Sequence, residues 1–306
     1  MQHSAGHDAF LVLLLIVCAW GIGGLSRRHW GSLMGRGVRV VGCLGLLAAM
    51  PATMALAADL VPEAASAPKW TVELGMEVRS LPHYQGSDVY GFYPVPFLDV
   101  RPAGTPPRFH APRDGFGVAI LDTDTFKAGP VAQFEFGRHV KHNPSLAGLG
   151  NVGATAEVGG YVDYWPNQWL RARVELRQGI GGHHGLVSDE TLDVVVPVSP
   201  QWTVSGGPRM TIATADANRP YFGIDVTQSA ASGLPTYEAG GGIRSFGAGT
   251  QARYQWNPQW ASHAFVEYTK LTGDVGNSPI VTQRGSPNQA MFGFGTTYSF
   301  DMPALW

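Results

Sequence analysis

Residues 170–177 read Leu-Arg-Ala-Arg-Val-Glu-Leu-Arg, an alternation of apolar and charged side chains over eight positions. Successive side chains of a β-strand point to opposite faces, so this period of two predicts a strand with one apolar and one charged face. In a soluble sandwich the charged face would meet bulk water. In a membrane barrel the apolar face would meet lipid and the charged face would line the lumen.

The end of the chain favours the barrel. Residues 292–300 read Phe-Gly-Phe-Gly-Thr-Thr-Tyr-Ser-Phe, so large aromatic residues alternate with small ones. This is the expected pattern where one face meets lipid and the other meets a crowded lumen. From residue 69 onward the sequence has no convincing period of 3.6 residues.

Composition excludes several other classes of protein. Charged residues make up 14% of the 306 residues, against roughly 25% in soluble domains. The mean hydropathy of −0.02 is too polar for a bundle of transmembrane helices. There are 40 glycines and 9 tryptophans, and abundant Gly and aromatic residues with little charge suit a transmembrane β-barrel. A disordered chain and a strongly basic nucleic-acid binder are both disfavoured.

The N-terminal 57 residues are predicted to be a leader. An apolar run at 38–58 follows three arginines, has a fourth, Arg39, at its start and contains Ala55-Leu-Ala57 near its end, which fits a signal peptide cleaved after Ala57. An earlier apolar run at 10–25 is superfluous, so Met34 is the expected start and 34–57 the signal peptide. A short N-terminal membrane helix, a twin-arginine signal and a lipoprotein box are the alternatives.

The leader also decides the cysteine and charge balance. Cys18 and Cys43 both lie in it, so the remaining chain has no disulfide and no thiolate metal site. It holds four of the 21 basic residues and one of the 23 acidic ones, which leaves a net charge of −5. That balance disfavours nucleic acid as a partner.

Three similar turns give the strand count. They are Trp165–Trp169, Ser199–Trp202 and Trp256–Trp260, each a Pro-containing turn beside Trp. Such turns are typical of the periplasmic end of a barrel, with Trp in the interfacial aromatic girdle. The longer Gly-rich stretches 139–151, 181–189, 214–236 and 271–288 would then lie outside the cell.

Counting from these turns predicts an all-β, transmembrane antiparallel β-barrel of about twelve strands over residues 70–300. A periplasmic linker at 58–69 precedes it and a C-terminal tail at 301–306 follows it. The count needs a turn at Asp122–Thr125 and a short rising strand near 105–111 that ends in the turn Pro112–Gly115. Ten strands is the fallback.

Several unusual segments resemble the MipA/OmpV family of outer-membrane proteins. They are Pro82–Asp88, Tyr93–Phe97, Asn143–Gly150, Gln178–His183, Gln228–Pro235, Ser278–Val281 and Phe292–Phe300. The resemblance implies a Gram-negative outer-membrane location. It also implies a scaffold that links a membrane-bound lytic transglycosylase to a bifunctional penicillin-binding protein, although other members are discussed as adhesins or antibiotic-response proteins. The chain departs from the family by continuing to Trp306 after Phe300.

Candidate site residues fall into three groups. Inward charged or polar residues are expected to pair and plug the lumen, or else to line a small pore: Lys127, Gln133, Glu135, Arg171, Arg173, Glu175 and Arg177. Six tryptophans are predicted in the interfacial girdle or at docking surfaces: Trp165, Trp169, Trp202, Trp256, Trp260 and Trp306. His183 and His184 are the candidate metal ligands, with His139 and His142 as further ones. No third ligand is fixed by spacing, so two solvated loop histidines are expected and no metal site is predicted.

No catalytic residue and no cofactor site is predicted. The motif Gly148–Gly153 lacks the βαβ context of a dinucleotide site, and Ser232 lies outside a G-x-S-x-G motif. The sequence therefore predicts a non-catalytic scaffold barrel whose partners are outer-membrane lipid and periplasmic murein enzymes. A narrow channel or solute-interacting barrel is the first alternative, and an outer-membrane hydrolase is the second.

Overall fold

The structure is a computed structural model of the chain and describes residues 69–303 apart from Arg108. The predicted leader, its signal peptide, residues 58–68 of the linker, and Ala304–Trp306 lie outside the described residues. Lys69, predicted to end the linker, instead begins the first strand. In the described part of the chain no helix is both long and apolar enough to span a membrane.

Twelve strands form one sheet. They are β1 Lys69–Pro82, β2 Tyr90–Pro102, β3 Phe116–Gly117, β4 Leu121–Asp122, β5 Phe126–Glu135, β6 Thr155–Asn167, β7 Leu170–Gly181, β8 Leu186–Pro197, β9 Trp202–Ala213, β10 Gly242–Gln255, β11 Trp260–Leu271 and β12 Asn288–Pro303. Short helices lie in the connections: α1 Ala215–Phe222, α2 Val226–Ser232, α3 Gly273–Asn277 and α4 Pro279–Arg284, with 3-10 turns at Val140–His142 and Pro144–Leu146.

Every strand pairs antiparallel with its neighbours, in the order β2-β1-β12-β11-β10-β9-β8-β7-β6-β5-β3, while β4 also pairs with β5. The first and last strands of the chain are therefore adjacent, as in a sheet that curls back on itself. This topology confirms the predicted transmembrane antiparallel β-barrel, and its strands number twelve because residues 116–122 form two short strands, β3 and β4.

The predicted rising strand near 105–111 is wrong. The described residues of this stretch contain no strand, because Pro106 and Pro107 lack the N–H groups that a ladder needs. Residues 116–122, which come next in the chain, form only the two-residue strands β3 and β4. Opposite them, Pro130 of β5 cannot donate, although its carbonyl accepts from Val118 N–H at 3.2 Å.

The last strand extends beyond the predicted barrel limit. Met302 and Pro303 pair with Trp70 and Lys69 of β1. The Thr71 hydroxyl donates to Asp301 Oδ1 at 2.6 Å. Residues 301–303 therefore belong to β12 rather than to a free tail.

The two faces of the sheet differ as the alternation predicts. On β7 the odd-numbered charged residues are buried, while Val174 and Leu176 are half exposed. Small inward residues make room for large neighbours on the next strand. A Cβ at Gly293 would lie 2.6 Å from the Phe265 ring, and one at Gly295 would lie 2.6 Å from the His263 ring.

The two ends of the sheet also differ. The end that carries the short turns 168–169, 198–201 and 256–259 is named the turn end. At the opposite end, the connections 83–89, 136–154, 214–241 and 272–287 pack on one another and form what is named the cap. Its apolar core includes two clusters, one around Phe222 and Val281 and one around Leu146, Leu149 and Ile280.

Candidate functional site: a charged lumen occupied by an inner segment

Residues 103–115 connect β2 to β3 and are named the inner segment. The Asp114 N–H donates to Ala111 O at 3.0 Å, and Asp114 Oδ2 accepts from Ala111 N–H at 2.9 Å. This reciprocal pair closes the turn predicted at Pro112–Gly115. The turn presents the side chains of Arg113 and Asp114 to the inner face of the sheet.

Arg113 joins three strands. Its Nη2 donates to Glu267 Oε1 of β11 at 2.6 Å. Its Nη1 donates to Thr211 Oγ1 of β9 at 2.7 Å and to Asp189 Oδ1 of β8 at 3.1 Å. One side chain of the inner segment is therefore held by groups from non-adjacent parts of the wall.

The next two residues bind β7. Asp114 Oδ2 accepts from Arg171 Nη2 at 2.8 Å, and Arg173 Nε lies 3.8 Å from Asp114 Oδ1. The Gly115 N–H donates to Glu175 Oε1 at 3.1 Å. Because charge-assisted hydrogen bonds are among the stronger ones, residues 113–115 are fixed inside the lumen.

The four predicted charged residues of β7 are all buried in this network. Arg171 Nε and Arg173 Nη1 donate to Asp163 of β6 at 2.9 and 3.1 Å. Arg173 Nε also donates to Glu175 Oε1 at 2.7 Å. Arg177 Nε donates to Glu157 Oε2 at 2.9 Å.

The three predicted residues of β5 share its inner face but do not meet. Lys127 pairs with Asp122 near the turn end. Glu135 accepts from Gln85 Nε2 near the cap. Gln133 is partly buried between these two levels. They therefore line different heights of the lumen.

Sequence reasoning missed a second network on β1 and β2. Glu73 accepts from Arg101 Nη1 at 3.1 Å and from Arg253 Nη2 at 2.7 Å. Glu77 is hydrogen-bonded to His263 Nε2 at 2.9 Å. The sequence carries a signal for this network, because polar Thr71, Glu73 and Glu77 alternate with apolar residues with a period of two.

The prediction of two solvated loop histidines is wrong for His183. The β7–β8 connection holds only residues 182–185, and the His183 side chain is buried at 1% exposure. Its Nε2 lies 3.0 Å from Glu157 Oε1 and 3.9 Å from Glu135 Oε2. His184 is exposed and engages Gln178 through its backbone oxygen. His139 is also exposed and forms no part of this cluster.

Three of the predicted tryptophans face outward at the turn end. Trp202 contacts Tyr254 with ring centroids 4.8 Å apart, Tyr254 contacts Trp256 at 4.6 Å, and Trp260 contacts Tyr298 at 4.9 Å. These five residues are named the aromatic belt. Such a row of half-exposed rings suits the interface between lipid and water.

The other tryptophans behave differently. Trp165 faces inward, where its ring lies 6.4 Å from Phe109 of the inner segment. Trp169 is 52% exposed and lies in the turn before β7, where its backbone oxygen accepts from Val195 N–H at 2.7 Å. Trp306 lies outside the described residues. The structure therefore separates Trp165 and Trp169 from the aromatic belt.

Two arginines hold the cap together. Arg138 is buried and donates to the backbone oxygens of Tyr221 and Leu149. Burial lowers the pKa of Arg138 to about 10, so this guanidinium is still charged at neutral pH and needs those carbonyl partners. Arg284 donates to the backbone oxygens of Ser145, Ala147 and Ser232. It therefore joins its own connection, 272–287, to the connections 136–154 and 214–241.

Two solved structures resemble this fold. An outer-membrane channel from Pseudomonas putida F1 aligns over 77% of this chain and 96% of its own, with 12% identity and a TM-score of 0.40. The KdgM porin aligns over 75% of this chain and 99% of its own, with 8% identity and a TM-score of 0.33.

Sequence comparison is more specific. Outer membrane protein Omp26La of Vibrio anguillarum is 36% identical over 87 residues, which are 28% of this chain and 32% of that protein. The chain thus matches about a third of that relative's length. The profile of the family described as MltA-interacting protein MipA matches residues 74–300. The predicted resemblance is confirmed: the chain belongs to the MipA family of outer-membrane β-barrel proteins.

Proposed function

We propose that this chain is a non-catalytic outer-membrane scaffold for peptidoglycan-remodelling enzymes, namely a lytic transglycosylase and a penicillin-binding protein. The observation that carries the proposal is the occupied lumen, in which Arg113 and Asp114 bind four strands of the wall. A lumen filled by its own chain leaves little room for a solute. The family description, MltA-interacting protein, supports a murein enzyme as the partner.

In this proposal the turn end faces the periplasm, where murein enzymes work. Short turns are typical of the periplasmic side of outer-membrane barrels, and both chain ends of the sheet lie there. Export depends on the signal peptide that is cleaved after Ala57. The docking surface consists of the turns 168–169, 198–201 and 256–259 together with the linker that precedes Lys69.

Trp169 is the strongest docking candidate among the turn residues. Tryptophan is enriched among residues that contribute most to binding when a partner buries them. Trp202, Trp256 and Trp260 already pack in the aromatic belt. Trp169 is half exposed in the turn that precedes β7 and is not one of the aromatic-belt residues.

Capture from cross-linked envelopes tests the scaffold. The tagged full-length protein should recover a lytic transglycosylase and a penicillin-binding protein, and purified samples of each should then bind it directly in detergent. An unrelated outer-membrane barrel carrying the same tag is the control. Absence of direct binding to both purified enzymes would overturn the proposal.

A narrow channel is the second candidate. The inner segment is not part of the sheet, and the contacts of Arg113 and Asp114 with the wall are made by side chains. It can therefore move without breaking a strand ladder. Planar-bilayer recording separates the two functions, because the scaffold predicts no current steps from the wild-type protein and the channel predicts them.

A further inference from the structure

Two carboxylates and one imidazole converge at the cap end of the lumen. One ligand atom each from Glu135, Glu157 and His183 lies within 4.8 Å of the other two. The residues come from β5, β6 and the β7–β8 connection. The imidazole is buried, and the carboxylates are at most 14% exposed.

Each carboxylate has one anchored oxygen and one oxygen directed into the cluster. Glu135 Oε1 accepts from Gln85 Nε2, which leaves Oε2 facing His183 at 3.9 Å. Glu157 Oε2 accepts from Arg177 Nε at 2.9 Å, which leaves Oε1 at 3.0 Å from the imidazole. Hydrogen bonds of this kind to the outer oxygen orient the carboxylates of metal sites.

The imidazole is fixed by the backbone on which it rests. A Cβ at position 179 would lie 2.2 Å from the His183 ring, so Gly179 provides the space that the ring occupies. The ring also lies 6.0 Å from that of Tyr221 in the cap. The ligand atoms are thus held from three directions before any ion enters.

The separations suit a small divalent ion. With bonds of about 2.0–2.2 Å to nitrogen and oxygen, tetrahedral ligand atoms lie roughly 3.3–3.5 Å apart. The separations of His183 Nε2 from Glu157 Oε1, 3.0 Å, and from Glu135 Oε2, 3.9 Å, lie on either side of this range. Imidazole with carboxylate favours zinc, copper or nickel over magnesium or calcium, which prefer oxygen ligands alone.

We propose that Glu135, Glu157 and His183 bind one divalent transition-metal ion of the zinc type. The ion would tie β5 and β6 to the β7–β8 connection beneath the cap. The competing occupant is a proton. His183 Nδ1 accepts from Gly185 N–H at 3.3 Å, so the neutral ring carries its proton on Nε2, facing Glu157. When the metal binds Nε2, that proton moves to Nδ1, which gives up its contact with Gly185 N–H, so the imidazole stays neutral and no net proton is released.

Cobalt and zinc binding test the site. The full-length protein, purified in detergent without a polyhistidine tag and stripped with chelator, is titrated with Co²⁺ and then Zn²⁺. We expect one Co²⁺ per chain, a visible absorption band of tetrahedral type and displacement by equimolar Zn²⁺. A wild-type protein that binds no Co²⁺ at equimolar concentration would overturn the metal site. The group between His183 Nε2 and Glu157 would then be the imidazole proton.

Matched variants assign the ligands. His183→Ala and Glu135→Gln should each reduce Co²⁺ binding at least tenfold, while His184→Ala, next in sequence but exposed, should bind like the wild type. Glu135→Gln keeps the size of the side chain, so it answers the question even if His183→Ala fails to assemble. Heat-modifiable migration scores assembly first. Assembled variants that all bind equally would show that these residues are not the ligands.

Discussion

The guanidinium of Arg113 donates two hydrogen bonds to a single oxygen of Glu267, from Nη2 at 2.6 Å and from Nε at 2.9 Å. The two residues are 154 positions apart in the chain. One belongs to the inner segment and the other to the inner face of β11. This pair therefore links the inner segment to a distant strand of the wall.

Arg113→Ala should release the inner segment. Removing one partner of a buried ion pair leaves an uncompensated charge and costs about 3–5 kcal/mol, so the unfolding free energy in detergent should fall by about that amount. Planar-bilayer recordings should also show current steps that the wild type lacks.

The matched control is Arg219→Ala. Arg219 is half exposed in the cap beside Asp216 and Glu238, and such surface pairs contribute at most about 1 kcal/mol. An unchanged stability and a silent bilayer would contradict the role of Arg113.

Val162→Arg should impair insertion. Val162 faces outward in the middle of β6, where its cross-strand neighbours are Ala128 and Val174. A lipid-facing arginine near the bilayer midplane costs about 2–4 kcal/mol. Val174 is a less decisive position, because its neighbour Glu190 could pair with the new charge.

The control for this prediction is Arg173→Val on the inner face. It should insert better than Val162→Arg, although it leaves Asp163 and Glu175 short of a donor. The fraction that migrates as the heat-modifiable form measures insertion. Equal fractions for both variants would mean that the assignment of faces is wrong.

Arg284→Ala should loosen the cap and leave the barrel assembled. Each hydrogen bond of a charged group contributes about 1.5–3 kcal/mol, and Arg284 holds three backbone oxygens of the connections 136–154 and 214–241. Limited proteolysis should cut these connections faster than in the wild type. Lys141→Ala, at an exposed position of the same cap, should not change the rate. Identical cleavage patterns for both variants would exclude this role of Arg284.

The faces of the strands could be predicted because the information is local. The alternations in 170–177 and 292–300 define inward and outward sides without reference to other strands. The turns beside Trp165, Trp202 and Trp256 marked strand ends for the same reason. Turn residues and a period of two each act over a few positions.

The contents of the lumen could not be predicted, because they depend on distant residues. Nothing near Arg113 indicates that Glu267 will lie beside it. The sequence predicts a solvated His183 because the local pattern shows neither where β7 ends nor that His183 lies beside Glu157. A rising strand near 105–111 fits the up-and-down order of the neighbouring strands, but Pro106 and Pro107 within it cannot donate to a ladder.

Trp169→Ala should weaken partner binding without affecting the barrel. If a murein enzyme docks at the turn end and buries this ring, its loss should cost about 2 kcal/mol, or roughly a thirtyfold increase in Kd. Trp256→Ala is the matched control, because its ring is similarly exposed but packs on Tyr254 in the aromatic belt. It should affect insertion more than binding. Both variants are first shown to assemble, and the Kd for a purified lytic transglycosylase is then measured in detergent. Equal Kd values for Trp169→Ala and the wild type would exclude Trp169 from the interface. A larger loss for Trp256→Ala would instead move the docking surface to the aromatic belt, because the partner would then compete with lipid for the same rings.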